Sequence, residues 1–359
     1  MQFRQDRNAR LRRLLLRFGG RSRSGSPAAS FGGRKWASGM WMLAAVVFVS
    51  MLGVHPLAAE QMNVALVSRT MFNLPLWVAD KKGFFKEEGL EVRFEIVNSA
   101  EAIKERLQTG AAHVSLDTPE VVMLDAYNGG SLRIIAGNAR KLPHFIIAKP
   151  AIKSLKDLRG ARFGVLSVKE GTASIVPKIA AAAGLSKDDY TILAVGGAPT
   201  RWRLLKEGSI DAGLQPFPLS YEAEAAGFTN LGWVGEYESD WQFTTFNTNE
   251  KWAQSNPELV TKFLRATLKG QAFADAHPQE AAEIIAPELQ ASVPLTLRAI
   301  QDSRRLGILD PLLDWSGSGI QKLFGVLKQN GSLPQLTEFD LKKVSQSLYL
   351  ERAQASIRR

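Results

Sequence analysis

Short apolar runs, amphipathic stretches and glycine stops follow one another in a regular order from residue 61 onward. Val64 to Val67 is an apolar run of strand type. After a polar loop, Asn73 to Leu90 reads NLPLWVADKKGFFKEEGL. Pro75 suits the first turn of a helix, Leu76, Val78 and Ala79 supply apolar contacts along it, and Gly83 ends or bends it. A second short turn, Phe84 to Glu88, stops at Gly89, and Glu91 to Val97 follows as a strand.

The same order then recurs. Ala161 to Ser167 is a second apolar strand ending in serine, followed by a loop, an alanine-rich helix stopping near Gly184, and a strand at Tyr190 to Val195. Leu107-Gln-Thr-Gly110-Ala-Ala-His-Val-Ser-Leu and Leu205-Lys-Glu-Gly208-Ser-Ile-Asp-Ala-Gly-Leu are shifted by 98 residues, and the loops Asp117-Thr-Pro119 and Gln215-Pro216-Phe-Pro218 then correspond. A unit this long used only twice predicts an α/β architecture of two similar lobes, each with helices on a mostly parallel sheet. Loops at the carboxyl ends of such strands line a crevice. The predicted division is residues 60–147 plus 246–359 for lobe one and 148–245 for lobe two. Two extended crossings, Phe145 to Pro150 and Phe243 to Asn247, form the hinge. Beyond them, Asn256-Pro257-Glu258 opens a helix carrying Val260, Phe263, Leu264 and Leu268 on one face. Ala281 to Ile285, Leu295 to Arg304 and Ile320 to Leu327 continue as short helices.

The formal charge of +10 invites a nucleic-acid reading, but it is unevenly placed. Residues 1–59 carry ten Lys or Arg against the single acid Asp6, leaving 35 basic and 34 acidic side chains, about +1, for the remainder. The leader has a basic head, an apolar run from Met40 to Val54, and small residues Ala58 and Ala59 before Glu60. That is the layout of a secretory signal cleaved after Ala59; an uncleaved anchor is the alternative. The chain has no cysteine, which excludes disulfides, thiolate catalysis and lipid attachment through a lipobox.

Pro75, Ala79, Gly83, Phe84, Phe85, Gly89, Leu90 and Val92 fit the opening P-x-x-x-A-x-x-x-G-F-F-x-x-x-G-L-x-V. In this the chain resembles the NMT1/THI5-like extracytoplasmic solute-binding proteins, which serve ABC importers for nitrate, sulfonates, taurine and thiamine pyrimidine precursors. The resemblance implies a periplasmic-binding-protein-like type II fold with its carboxyl-terminal helices packed outside lobe one. With the leader and the missing cysteines it points to a periplasmic, monomeric, non-enzymatic carrier with no cofactor, no metal and no nucleic-acid partner; an enzyme on the same fold, or a membrane-tethered extracellular ligand sensor, is the alternative. Such a carrier delivers a small, anionic organic solute to an inner-membrane permease. Yeast-type members that make thiamine pyrimidine need a cysteine-rich iron motif, which this chain lacks.

Candidate ligand contacts follow from the loops. In lobe one, Arg69 can pair with an acidic group, Thr70 and Asn73 can hydrogen-bond, and Phe72 can wall a pocket; Arg69 reads equally as a solvated loop residue. Asp117, Thr118 and Asn138 follow later strands, although Asp117 opposes an anion unless it meets a hydroxyl or amine. In lobe two, Ser167, Gly171, Thr172 and Ser174 precede a helix with Pro177 in its first turn. Their free amides favour an anion, or Thr172 or Ser174 simply caps that helix. Gln215 and Phe217 stand in the corresponding loop. Most aromatics of lobe two belong to packing, with Trp241 at the hinge the exception. The four histidines show no metal-ligand spacing, and no phosphate loop, dinucleotide fingerprint or nucleophile elbow is present.

Overall fold

A computed structural model describes residues 59–97, 99–168 and 171–357. The leader, Ala59 apart, lies outside the described residues. The strands form two five-stranded sheets of like topology. The first contains β1 (Glu60–Leu66), β2 (Leu90–Ile96), β3 (Val114–Asp117), β4 (Leu132–Gly137) and a late strand, Thr245–Asn249. The second contains β5 (His144–Ala148), β6 (Arg162–Val165), β7 (Thr191–Ala194), β8 (Ala212–Pro216) and β9 (Thr229–Trp233), which makes the late strand β10. The orders are β2-β1-β3-β10-β4 and β7-β6-β8-β5-β9. In each, the strand that follows a crossing runs antiparallel to its neighbours.

The helices repeat as well. Lobe one carries α1 (Leu74–Lys81), α2 (Phe84–Glu87), α3 (Ala100–Thr109) and α4 (Glu120–Tyr127), and lobe two carries α5 (Val176–Ala182), α6 (Ala198–Glu207) and α7 (Leu219–Ala225). The ten-residue helices α3 and α6 stand 98 positions apart, and both stop on glycines of positive φ, Gly110 and Gly208. An L side chain is strained in that conformation, so glycine marks both ends.

The chain closes with α8 (Glu250–Ser255), α9 (Pro257–Ala276), α10 (Pro278–Leu289), α11 (Val293–Leu306), α12 (Gly317–Gln329), α13 (Leu341–Val344) and α14 (Leu348–Ile357). The Gly-Phe-Phe motif docks lobe one onto α9: Phe85 stacks on Phe263 at 5.5 Å and Phe84 meets Phe273 edge-on at 6.2 Å. Each such ring removed from water stabilises by about 1.5–3 kcal/mol. Helix α1 is buried almost throughout because it lies against α9 and α10 and shares the apolar cluster of sheet one.

The sequence placed the lobe boundaries slightly too late. The apolar segment His144–Ala148 pairs with β8 on one side and β9 on the other, so residues 144–147 belong to the second sheet and the first crossing is 138–143. Thr245 likewise opens β10 in the first sheet. Nor is the hinge two bare strands. A third segment buttresses it, with Arg140 N donating to Ile308 O, Asp310 N to Asn138 O and Gly137 N to Leu313 O, while Phe243 N donates to Ala139 O from the second crossing. The carboxyl-terminal helices do not all pack outside lobe one, as the resemblance implied. Helix α12 shares an apolar cluster with Val121 of α4 and with Ala173 and Val176 of lobe two, because its buried face (Ile320, Leu323, Phe324, Leu327) meets both.

Candidate functional site between the lobes

Topology fixes where the two sheets face each other. The first crossing leaves the carboxyl end of β4 and enters β5, whose first residue pairs with Pro216 at the carboxyl end of β8. The second crossing leaves the carboxyl end of β9 and enters β10, whose first residue pairs with Asp117 at the carboxyl end of β3. The carboxyl ends of both parallel sets therefore converge on the crossings, the position that favours a ligand in open α/β sheets.

An aromatic column runs through this seam. Phe243 of the second crossing meets Phe72 of lobe one at 5.0 Å and His144 at the start of β5 at 5.1 Å, both edge-on. Asn138 joins it by donating from Nδ2 to Phe72 O and to Thr244 Oγ1, both at 3.0 Å. On one flank the lobes meet where Gly171 N donates to Glu120 Oε1 at 3.1 Å. On the other, Tyr221 of α7 donates from its hydroxyl to Asp302 of α11 at 2.5 Å, with the Arg298 guanidinium 4.0 Å over its ring.

The predicted residues divide by what they already hold. Phe72, Asn138, Asp117 and Gly171 come to the seam. Thr118, half-buried just past β3, hydrogen-bonds the Glu120 carboxylate, and Ser167 is half-buried just past β6. Ser174 donates to Gly171 O, closing its own turn, and Thr172 is buried in that turn. The turn from Gly171 to Ile175 is a 3-10 helix, and regular α-helix begins only at Val176, so the expected row of free amides is not a full helix start. Asn73 donates to Ser68 O, and Thr70 O accepts from Asn73 N, so both serve the loop's own shape. Arg69 is paired with Glu288 of α10. Gln215, in the orientation its neighbours require, donates to Ala198 O and accepts from Trp202 N in α6. Phe217, 2% exposed, stacks on Tyr221, and Trp241, 1% exposed, is wedged between Gly171 and Gly319.

Glu120, His144 and Ser220 are the seam residues that the sequence reading did not single out. With Asp117 and Asn138 they account for five of the seven buried side-chain polar atoms without a partner among the described residues: Asp117 Oδ1, Glu120 Oε2, Asn138 Oδ1, His144 Nδ1 and Ser220 Oγ. Native proteins pair nearly all such atoms, and five of these seven end, follow or begin the strands at the carboxyl ends of the two sheets. Burial pushes Asp117 up to about 7, opposed by hydrogen bonds from Ser115 and Asn247 and aided by the Glu120 charge. Burial raises Glu120 too, against hydrogen bonds that include the Gly171 amide. His144 is driven down to about 3 by burial and by Arg201, so its imidazole is neutral. Arg201 itself is buried and donates to Leu214 O and Gly196 O. No group of acids and histidines suited to a metal ion occurs among the described residues, and none of their helices is long and apolar enough to cross a membrane.

The fold is that of a two-lobed α/β protein with a seam between its two sheets. The NMT1/THI5 like family model matches residues 73–281, and the chain belongs to that family. A protein of Brucella abortus named as a binding protein is 23% identical over 218 residues, covering 59% of this chain and 66% of the relative. The riboflavin-binding protein RibY of Chloroflexus aurantiacus is 25% identical over 246 residues, covering 64% and 67%. A 4-amino-5-hydroxymethyl-2-methylpyrimidine phosphate synthase of Candida albicans is 24% identical over 231 residues, covering 58% and 66%. The chain thus spans just under two thirds of the length of most of these relatives. Among solved structures, the periplasmic aliphatic sulphonate binding protein SsuA of Escherichia coli superposes with a TM-score of 0.63 at 13% identity, over 81% of this chain and 99% of that one. The periplasmic nitrate-binding protein NrtA of Synechocystis gives 0.67 at 14%, over 83% and 89%. At these identities the likeness concerns the fold, which is that of periplasmic binding proteins.

Proposed function

We propose that this protein captures a small organic solute between its two lobes outside the cytoplasm and presents the closed form to an ABC permease in the membrane. Closure is the signal in this reading, and no bond is made or broken. A ligand that prefers the closed state by about 10⁴ converts a mostly open population into a mostly closed one. The observation that carries the reading is the set of unpartnered polar atoms gathered where the two sheets' carboxyl ends converge. Family membership and the substrate-binding structural relatives support it. The proposed contacts are Phe72, Asp117, Thr118, Glu120, Asn138, His144 and the turn at Gly171–Thr172.

The synthase among the relatives raises a catalytic reading on the same fold. The carrier is favoured by the seam itself, where one oxygen of Glu120 accepts a backbone amide and His144 is a neutral, enclosed imidazole. Incubating purified protein with a bound compound tests the choice: recovery of that compound unchanged fits the carrier, and stoichiometric or catalytic conversion fits an enzyme.

A further inference from the structure

Three of the five unpartnered seam atoms are acid or amide oxygens, while the other two, His144 Nδ1 and Ser220 Oγ, can donate or accept. Asn138 Oδ1 can only accept, and the orientation of that amide is settled by its Nδ2, which donates to the carbonyl of Phe72. Asp117 Oδ1 and Glu120 Oε2 are carboxylate oxygens, and each acid's other oxygen is already engaged: Asp117 Oδ2 by Ser115 Oγ at 2.5 Å and Asn247 Nδ2 at 3.2 Å, Glu120 Oε1 by Gly171 N. With both acids ionised, as a cation between them would hold them, three acceptors face donors of a ligand, at the end of β3, the start of α4 and the end of β4. Thr245 pairs with both Asp117 and Gly137, so the first and last stand about two strand spacings, roughly 10 Å, apart.

Among the described residues, three of the donors that the sequence offered to an anionic solute are engaged within the protein. The Gly171 amide is taken by Glu120, the Ser174 hydroxyl by Gly171 O, and the Arg69 guanidinium by Glu288. Asp117 and Glu120 lie three residues apart, the Glu120 charge raises the cost of ionising Asp117, and a cation near both removes that cost. Resting on the reading of the seam as a ligand site, we propose that the solute is an organic cation bearing several N–H donors, of the amine, amidinium or guanidinium class. Asp117 and Glu120 set its charge and Asn138 sets its orientation. Phe72 and Phe243 supply the apolar wall against which its carbon skeleton lies.

Binding of matched probes tests this: methylguanidinium, benzylammonium and benzamidinium against methanesulfonate, benzoate and benzenesulfonate, followed by thermal shift and calorimetry on the full chain. The expected result is that at least one cation binds tenfold or more tightly than its matched anion, and that Glu120→Gln cuts that affinity at least tenfold while leaving the unfolding midpoint in place. Asp117→Asn, set in a denser hydrogen-bond network, serves as the second variant and should act in the same direction. A sulfonate or carboxylate that binds as tightly as its cationic match overturns the inference and leaves interlobe capture standing. No binding by any probe overturns both, and cation binding indifferent to both substitutions overturns the roles given to Asp117 and Glu120.

Discussion

The carboxylate of Glu120 in lobe one accepts the backbone amide of Gly171 in lobe two at 3.1 Å, and a side chain at that position would crowd its neighbours. A Cβ at Gly171 would stand 2.6 Å from Leu323 Cδ1, 2.7 Å from Trp241 Cζ2 and 2.8 Å from Glu120 Oε1. An added methyl would have to displace the Trp241 ring, the Leu323 side chain and the Glu120 carboxyl. Gly171→Ala should hold the protein open and weaken solute binding at least tenfold, about 1.4 kcal/mol or more. Calorimetry with the best-binding probe checks this, and unchanged affinity would show that closure does not pass through this contact.

The opposite flank is latched by Tyr221 and Asp302. The phenol is held well above its ordinary range by burial and by the hydrogen bond to the carboxylate, while Asp302 is held below its own by Tyr221 and Arg305 despite burial. Tyr221→Phe removes one hydrogen bond to a charged acceptor, worth about 2 kcal/mol. Because this bond joins the lobes, its loss should appear as a ten- to thirtyfold drop in affinity, on the order of that energy. A variant whose affinity is unchanged but whose unfolding midpoint falls would make the bond a matter of stability alone.

Asp117 gives stability a definite dependence on pH. Its folded value is raised from 3.8 to about 7, so the unfolded chain loses this proton first as pH rises. The favourable contribution is complete below the unfolded value and is lost as pH climbs through the folded one. Asp117→Asn does not titrate. Measured by urea unfolding, it should gain on the wild type by up to a few kcal/mol between about pH 4 and about pH 8. A constant difference across that range would contradict the raised value given to Asp117.

Helix α9 approaches α1 so closely that a Cβ at Gly270 would lie 2.1 Å from Pro75 O. Alanine is the better helix former, yet here Gly270→Ala should destabilise by about 1–3 kcal/mol, because overpacking outweighs propensity. Equilibrium unfolding is the measurement, and a stabilised variant would mean that the helices separate without cost.

Much of the architecture was legible because it was written twice in local signals. Gly110 and Gly208 end helices of equal length in the same left-handed conformation, so the 98-residue echo could be read without any long-range information. The Gly-Phe-Phe motif was equally visible, but its role was not, since Phe85 packs on Phe263 from a helix far along the chain. Glu120 escaped notice for a related reason. An acid in the first turn of a helix is ordinary, and only tertiary structure sets it opposite Gly171. The apolar stripe of α12 announced a buried face but not that two lobes share it. Trp241 shows the reverse case: position alone suggested a ligand contact, and packing against Gly171 and Gly319 leaves it almost no exposed surface.

Closure of the two lobes on a small molecule is the claim on which the rest depends. The chain has no cysteine, so Glu105→Cys on α3 and Ser209→Cys just beyond α6 allow one clean pair of spin labels on exposed positions of equivalent helices. Protein unfolded, washed free of small molecules and refolded should give a broad distance distribution, which narrows and shortens when the best-binding probe is added to saturation. The same distribution with and without a bound probe would contradict the account.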